Sequence, residues 1–193
     1  MPNVLIVYGT SHGQTRKIAR RIAEHLDSRG IAAEAHDVRD LSRSFQVSRF
    51  DGVIVGGRIW MSKVPRDLRE FARGYRAVLE SRPSVLFSVC LAVLNSTPEA
   101  RAEVAGMLPK FEKATGWRPL RSAVFAGALP YTKYNFFLRW VMKRIATMAG
   151  RDTDTSRDYE YTDWDQVARF ADEFADLVQP RVQARSETAA PPL

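Results

Sequence analysis

Apolar residues fall along this chain in two alternating rhythms. Short continuous runs are followed by longer stretches in which apolar residues return every third or fourth position. The first run, at positions 4–8, is Val-Leu-Ile-Val-Tyr. From 14 to 29, Ile18, Ile22 and Leu26 recur with Ala19 and Ala23 beside them, which predicts an amphipathic helix ended by Gly30. A weaker strand is expected over 31–38 and a short apolar one over 52–56. Pro65 opens a predicted helix that runs to about Glu80, with Leu68, Phe71, Ala72, Tyr75 and Leu79 inward. After Pro83 come a fourth strand at 84–89, a helix at 98–115 closed by Gly116, and a fifth strand at 122–128. The last predicted helix spans 163–178, with Asp163 as its N-cap and Val167, Phe170, Ala171, Phe174 and Leu177 on one face.

Strands this apolar need cover on both faces, so alternation with helices predicts a parallel sheet in an α/β fold. Five strands with a small-residue loop after the first suggest a doubly wound sheet in the order 2-1-3-4-5. Its ligand belongs at the carboxyl ends of strands 1 and 3, where the order reverses. One domain is expected over 1–178, and residues 179–193, rich in Pro, Ala, Ser and Thr, read as a disordered tail.

An insert of about thirty residues, 129–162, interrupts the alternation before the last helix. Its segment 134–149 is helical by pattern. Phe137, Val141, Ile145 and Met148 form one stripe, with Leu138 and Met142 alongside. Phe136 and Trp140 lie on the other side, flanked by Arg139, Lys143 and Arg144. Three readings stay open for that side: a cover over the edge of the fold, a site for a large flat anionic ligand, or a contact with an anionic membrane surface.

Composition narrows the classes. The 193 residues are 45% hydrophobic and 26% charged, which suits a globular chain. No apolar run reaches the roughly 20 residues of a spanning helix. Met1, Pro2 and Asn3 lead directly into a strand, so no signal peptide is expected. A single cysteine, Cys90, excludes a disulfide scaffold, and a cytoplasmic setting fits. His12, His25 and His36 lack metal-site spacing, and Asp152, Asp154 and Asp158 read as a solvated turn, so no metal is expected. The net charge of +7 favours an anionic partner without choosing among cofactor, substrate, lipid and nucleic acid.

The richest chemistry lies between the first strand and the first helix: Gly9, Thr10, Ser11, His12, Gly13, Gln14 and Thr15. A helix N-terminus offers unpaired N–H groups and about half a positive charge. Gly13 permits close backbone approach to a phosphate, and Thr10, Ser11 and Thr15 add hydroxyls. Neither the Gly-Lys-Ser/Thr of a Walker loop nor the dinucleotide pattern G-x-G-x-x-G is present. An ordinary capped strand-to-helix turn is the competing reading. Two further loops lie at the same strand ends. Gly57, Arg58, Ile59 and Trp60 follow strand 3, and Val89, Cys90 and Leu91 follow strand 4. Trp60 can cover a flat ring or cap the core, and Arg58 can meet negative charge or solvent. Cys90 has no His/Asn pair to make it a nucleophile and reads as a small buried apolar residue.

The loop at 10–15 resembles the phosphate loop of flavodoxins, and more specific segments extend the likeness over about 4–177. The more specific ones are Ala126-Gly127-Ala128-Leu129, the basic aromatic insert and Tyr161-Thr162-Asp163-Trp164; Gly13-Gln14-Thr15-Arg16, Trp117-Arg118-Pro119, Tyr131, Tyr134 and Thr153-Asp154-Thr155 also carry the likeness. Together they resemble the flavodoxin-type, menaquinone-dependent protoporphyrinogen IX dehydrogenases of bacterial haem synthesis. The resemblance implies a flavodoxin-like fold with a helical insert before the last helix. It also implies bound flavin mononucleotide (FMN), with the flavin carrying the chemistry. Protoporphyrinogen IX is the implied donor, menaquinone or another quinone the acceptor, and attachment to the inner face of the cell membrane is peripheral. FMN is then expected on Thr10 to Thr15, Gly57 to Trp60 and Val89 to Leu91. Substrate or membrane is expected on Phe136, Arg139, Trp140, Lys143 and Arg144, and nucleic acid is not an expected partner. An electron carrier or a general FMN quinone reductase is the alternative, and a non-enzymatic flavin-binding protein at the membrane is a third.

Overall fold

Five strands pair side by side because their residues have nowhere apolar to face except two opposed helical layers. In a computed structural model, residues 1–42, 44–58, 65–129 and 158–188 are described. The strands β1 (Asn3–Gly9), β2 (Ala32–Asp37), β3 (Gly52–Arg58), β4 (Ser84–Val89) and β5 (Arg121–Phe125) form one sheet in the order β2-β1-β3-β4-β5. All four pairings are parallel. This is the doubly wound order expected from the alternation of patterns, with β1 and β3 adjacent at the switch point.

Alternation along each strand sorts the core into two halves. Val4, Ile6, Ile54, Val85, Phe87 and Phe125 face α1 (Gln14–Ser28) and the last helix, α5 (Trp164–Thr188). Leu5, Val7, Val53, Val55 and Leu86 face the other layer. That layer holds α2 (Arg66–Gly74), α3 (Arg76–Glu80) and α4 (Pro98–Thr115). Trp117 is wholly buried there, and its indole N–H donates to Ser84 Oγ at 3.1 Å.

Four details differ from the sequence expectation. The helix expected over 65–80 divides at Tyr75, just after Gly74, whose lack of a side chain weakens a helix. The fifth strand stops at Phe125. Ala128–Leu129 instead forms β6, which pairs antiparallel with β7 (Tyr159–Glu160) at the two ends of the insert. The last helix does not end near Val178 but continues through Pro180 to Thr188, over residues such as Gln183, Ala184, Arg185 and Glu187 that favour helix. Its start is as expected: Asp163 Oδ1 accepts the Gln166 N–H at 3.0 Å, an N-cap bond. The expected insert helix at 134–149 lies outside the described residues. Among the described residues no helix is long and apolar enough to cross a membrane.

Candidate functional site

The sheet delivers three loops to one edge. The first begins where β1 ends at Gly9 and closes where α1 begins at Gln14. Gly13 is the hinge, with φ 93° and ψ −15°, in the left-handed region that residues with a Cβ avoid. Its N–H donates to Thr10 Oγ1 at 3.0 Å, and its carbonyl accepts from Lys17 N at 3.0 Å, which opens the helix ladder. Thr10 thus keeps its own O–H free to donate outward. Among the described residues no side chain caps the first turn of α1, and that turn has no acidic residue. Nothing in the described protein lies within 4 Å of a Cβ built on Gly13. The uncapped positive end of the helix therefore opens onto space. Thr15 is buried beneath the loop, whereas Ser11 lies exposed on it.

A polar network holds this loop from below. Asp37, 2% exposed at the end of β2, accepts from Arg39 Nε at 2.9 Å and Arg39 Nη2 at 2.7 Å, and lies 3.8 Å from Arg16 Nη2. The Arg39 hydrogen bond holds the Asp37 carboxyl below the usual aspartate range, against the opposing effect of burial. Arg39 Nη2 also donates to the Thr10 carbonyl at 3.2 Å, while Arg16 Nε donates to Tyr8 Oη at 3.1 Å. Sequence reasoning missed these residues. The available signal was a single acidic residue at the carboxyl end of a strand, two positions before an arginine.

The second loop meets the first directly. Gly9 and Gly57 sit opposite each other in the β1–β3 register. A Cβ on Gly57 would lie 2.4 Å from Leu68 Cδ1, and one on Gly9 would lie 3.0 Å from the same atom. The absence of a side chain at Gly57 leaves α2 room to seat Leu68 against the strand ends, and a Cβ on Gly9 would press the same methyl. Arg58 then reaches across, with Nη1 3.2 Å from His12 Nδ1. Ile59 and Trp60 lie outside the described residues. The third loop follows β4. Val89 and Cys90 are buried, the Cys90 N–H donates to the Phe125 carbonyl at 3.0 Å, and Leu91 starts a short 3-10 turn to Leu94. Burial pushes the Cys90 thiol pKa up, which disfavours a thiolate.

Gln14 turns away from the loop. Its Nε2 donates to Thr162 Oγ1 at 2.8 Å and to Glu160 Oε1 at 3.2 Å, and the Thr162 hydroxyl donates to the Ala126 carbonyl at 2.9 Å. The Gln14 side chain thereby ties the start of α1 to β7 and to the entry of α5, leaving its backbone to the loop. Phe136, Arg139, Trp140, Lys143 and Arg144 lie outside the described residues. Among the described residues no group of three or more His, Cys, Asp or Glu is placed to hold a metal ion. The loop, the helix end and the facing Arg58 suit a phosphate monoester attached to a larger group that lies toward the second and third loops.

Comparison with known proteins agrees with this geometry. A family model described as a flavodoxin domain matches residues 5–156. The protoporphyrinogen IX dehydrogenase (quinone) of Escherichia coli (strain K12) is 38% identical over 174 residues, covering 90% of this chain and 94% of that protein. A protein of the same name from Leishmania major is 32% identical over 189 residues, covering 96% of this chain and 81% of its own length. Among solved structures, oxidised flavodoxin 1 from Bacillus cereus superposes with a TM-score of 0.53 at 15% identity, covering 90% of this chain and 97% of that one. The flavodoxin of Streptococcus pneumoniae TIGR4 gives 0.54 at 13%, covering 93% and 99%. At those identities the likeness is one of fold.

Proposed function

The chain belongs to the flavodoxin-domain family, among the protoporphyrinogen IX dehydrogenases (quinone), and from that premise we propose that it is an FMN enzyme of haem biosynthesis. It oxidises protoporphyrinogen IX to protoporphyrin IX and passes the electrons to a membrane quinone such as menaquinone. The observation that carries this reading is the 38% identity maintained over 174 residues, because these make up 90% of this chain and 94% of the relative.

The residues present fit the flavin. The open, uncapped end of α1 with left-handed Gly13 receives the phosphate on backbone N–H groups, and the Thr10, Ser11 and Thr15 hydroxyls supplement them. Arg39, itself held by Asp37, fixes the Thr10 carbonyl so that the loop is formed before the ligand arrives. Gly57 and Arg58, with Ile59 and Trp60, border the flavin on one side, and Val89, Cys90 and Leu91 border it on the other. When bound, the flavin supplies the hydride-accepting centre. Arg58 places positive charge on the side of the phosphate loop, and the thiol of Cys90 stays protonated and takes no nucleophilic part.

In this reading residues 1–178 form one flavodoxin-like unit, and the insert faces the apolar reactants. Phe136 and Trp140 offer a flat contact, and Arg139, Lys143 and Arg144 meet the propionates of the donor or the headgroups of an anionic membrane at which the protein is peripherally held. A net charge of +7 disfavours the carrier alternative, since such carriers offer partners an acidic face. The test is anaerobic. Protoporphyrinogen IX should bleach the flavin absorbance of the purified protein, and a menaquinone analogue should restore it. A flavin that stays oxidised in the presence of protoporphyrinogen IX rejects the assignment.

A further inference from the structure

Outside the loops described so far, helix α1 turns its outer face toward a hollow of about 520 Å3. Its walls include Arg16, Lys17, Arg20, Arg21, Glu24 and Trp164, and it reaches Gly13. Four cations therefore share one concave space with a single carboxylate. Their positions are not what α1 needs for its own stability. Arg16 with Arg20 and Lys17 with Arg21 are like-charge pairs one turn apart, which repel. Arg16 and Lys17 also lie near the positive end of the helix, where cations are disfavoured.

Internal partners answer only part of this charge. Arg16 is engaged by Tyr8 and Asp37. Lys17 Nζ lies 2.5 Å from Glu160 Oε2 and 5.2 Å from the centroid of the Trp164 ring. Arg21 makes an exposed contact with Glu24 at 3.4 Å, both side chains being about two-thirds exposed. Arg20 has no ion pair or hydrogen bond among the described residues. The excess charge is thus concentrated at Arg20 and Arg21, facing a hollow of small-ligand size. Arg20 with Arg16, and Arg21 with Lys17, lie one turn apart, about 6 Å along the axis, which suits an anion with charge spread over linked groups better than a single phosphate.

We propose that this hollow is a second anion site, adjoining the phosphate loop at Gly13 but built on the outer face of α1, for a small soluble ligand carrying two or more linked phosphate groups. Trp164 forms part of its wall and reports its occupancy through indole fluorescence.

The test uses the full-length protein as purified, titrated with sodium tripolyphosphate at constant ionic strength and followed by calorimetry and tryptophan fluorescence. Saturable binding of one ligand per chain is expected, with inorganic phosphate at least tenfold weaker. Arg20→Ala and the milder Arg20→Gln should each weaken tripolyphosphate binding about tenfold, and Arg20→Ala with Arg21→Ala should abolish saturation. Both residues are exposed, so circular dichroism and bound-flavin content should match the parent protein. Non-saturable heats, equal affinity for phosphate and tripolyphosphate, or unchanged affinity in both Arg20 variants would each overturn the site. So would Arg20-dependent binding to anionic phospholipid vesicles with no binding of soluble tripolyphosphate, because the surface would then serve lipid.

Discussion

Arg58 and His12 meet across two loops, Nη1 to Nδ1 at 3.2 Å. A guanidinium only donates, so Nδ1 must be the acceptor, and the imidazole in this contact is neutral with its proton on Nε2. The contact draws a full positive charge from the end of β3 onto the loop that begins α1. Removing it should weaken FMN. Arg58→Met is expected to raise the FMN dissociation constant roughly tenfold to a hundredfold, the scale of one charge-assisted hydrogen bond. Arg58→Lys should recover part of the loss. Fluorescence titration of the apoprotein with FMN and with riboflavin separates the causes, because riboflavin lacks the phosphate and should respond less.

Gly13 is replaceable only by a residue that tolerates left-handed backbone. A Cβ there meets no atom of the described residues within 4 Å, so the obstacle is the φ of 93° and the space an anion would occupy. Gly13→Val should cost about 1–2 kcal/mol or more in stability and abolish FMN retention. Gly13→Asn should fold with a smaller loss, since Asn visits this region more readily. Thermal melts and flavin content of the two variants provide the check. Full flavin occupancy in Gly13→Val would place the phosphate elsewhere.

Asp37 makes the loop sensitive to acid. Its pKa is lowered in the folded protein, chiefly by the Arg39 hydrogen bond, from an ordinary value of 3.8. A carboxyl lowered in this way stabilises the fold at pH above its unfolded value and loses that contribution as pH falls through the lower, folded one. Stability should therefore decline below about pH 4 with a component that Asp37→Asn removes. Urea midpoints measured from pH 6 down to pH 3 test this. Parallel curves for parent and variant would show that the pair does not contribute.

Ser84 Oγ donates to the Leu79 carbonyl at 2.7 Å and accepts from the Trp117 indole at 3.1 Å, all of it buried. Ser84→Ala leaves both groups unsatisfied and should cost about 1–3 kcal/mol, with flavin affinity unchanged. Chemical denaturation followed by tryptophan fluorescence reads the loss, and the lengthened path to a partner should shift the Trp117 emission.

The insert supplies a kinetic prediction. Changing Phe136 and Trp140 together to Ser should leave flavin content and melting temperature nearly unchanged while raising KM for protoporphyrinogen IX. A lower melting temperature with normal kinetics in the folded fraction would instead assign these rings to packing.

The strand order and both helical layers were legible because every central strand is apolar on both faces, a pattern that only a covered parallel sheet satisfies. The sharp turn from β1 into α1 was legible from Gly13 and its hydroxyl neighbours, all within a few positions. What escaped was either very short or very distant. Ala128–Leu129 and Tyr159–Glu160 are two-residue strands without periodicity, and the insert separates them. Arg39 supports Thr10 from 29 positions away, through a backbone carbonyl that no side-chain pattern reveals. Gln14 read as a ligand residue by its place in the loop, yet its amide is engaged by Thr162 and Glu160.

That last bond has a consequence for biosynthesis. Gln14 and Thr162 are 148 positions apart, and the helix that follows Thr162 places Phe170, Ala171 and Phe174 in the same core as Ile18 and Ile22 of α1. On the ribosome, the loop that precedes α1 emerges well before the residues that brace its helix. The start of α1 has its Thr162 brace only once Thr162 has been made and the helix that follows it has docked on α1.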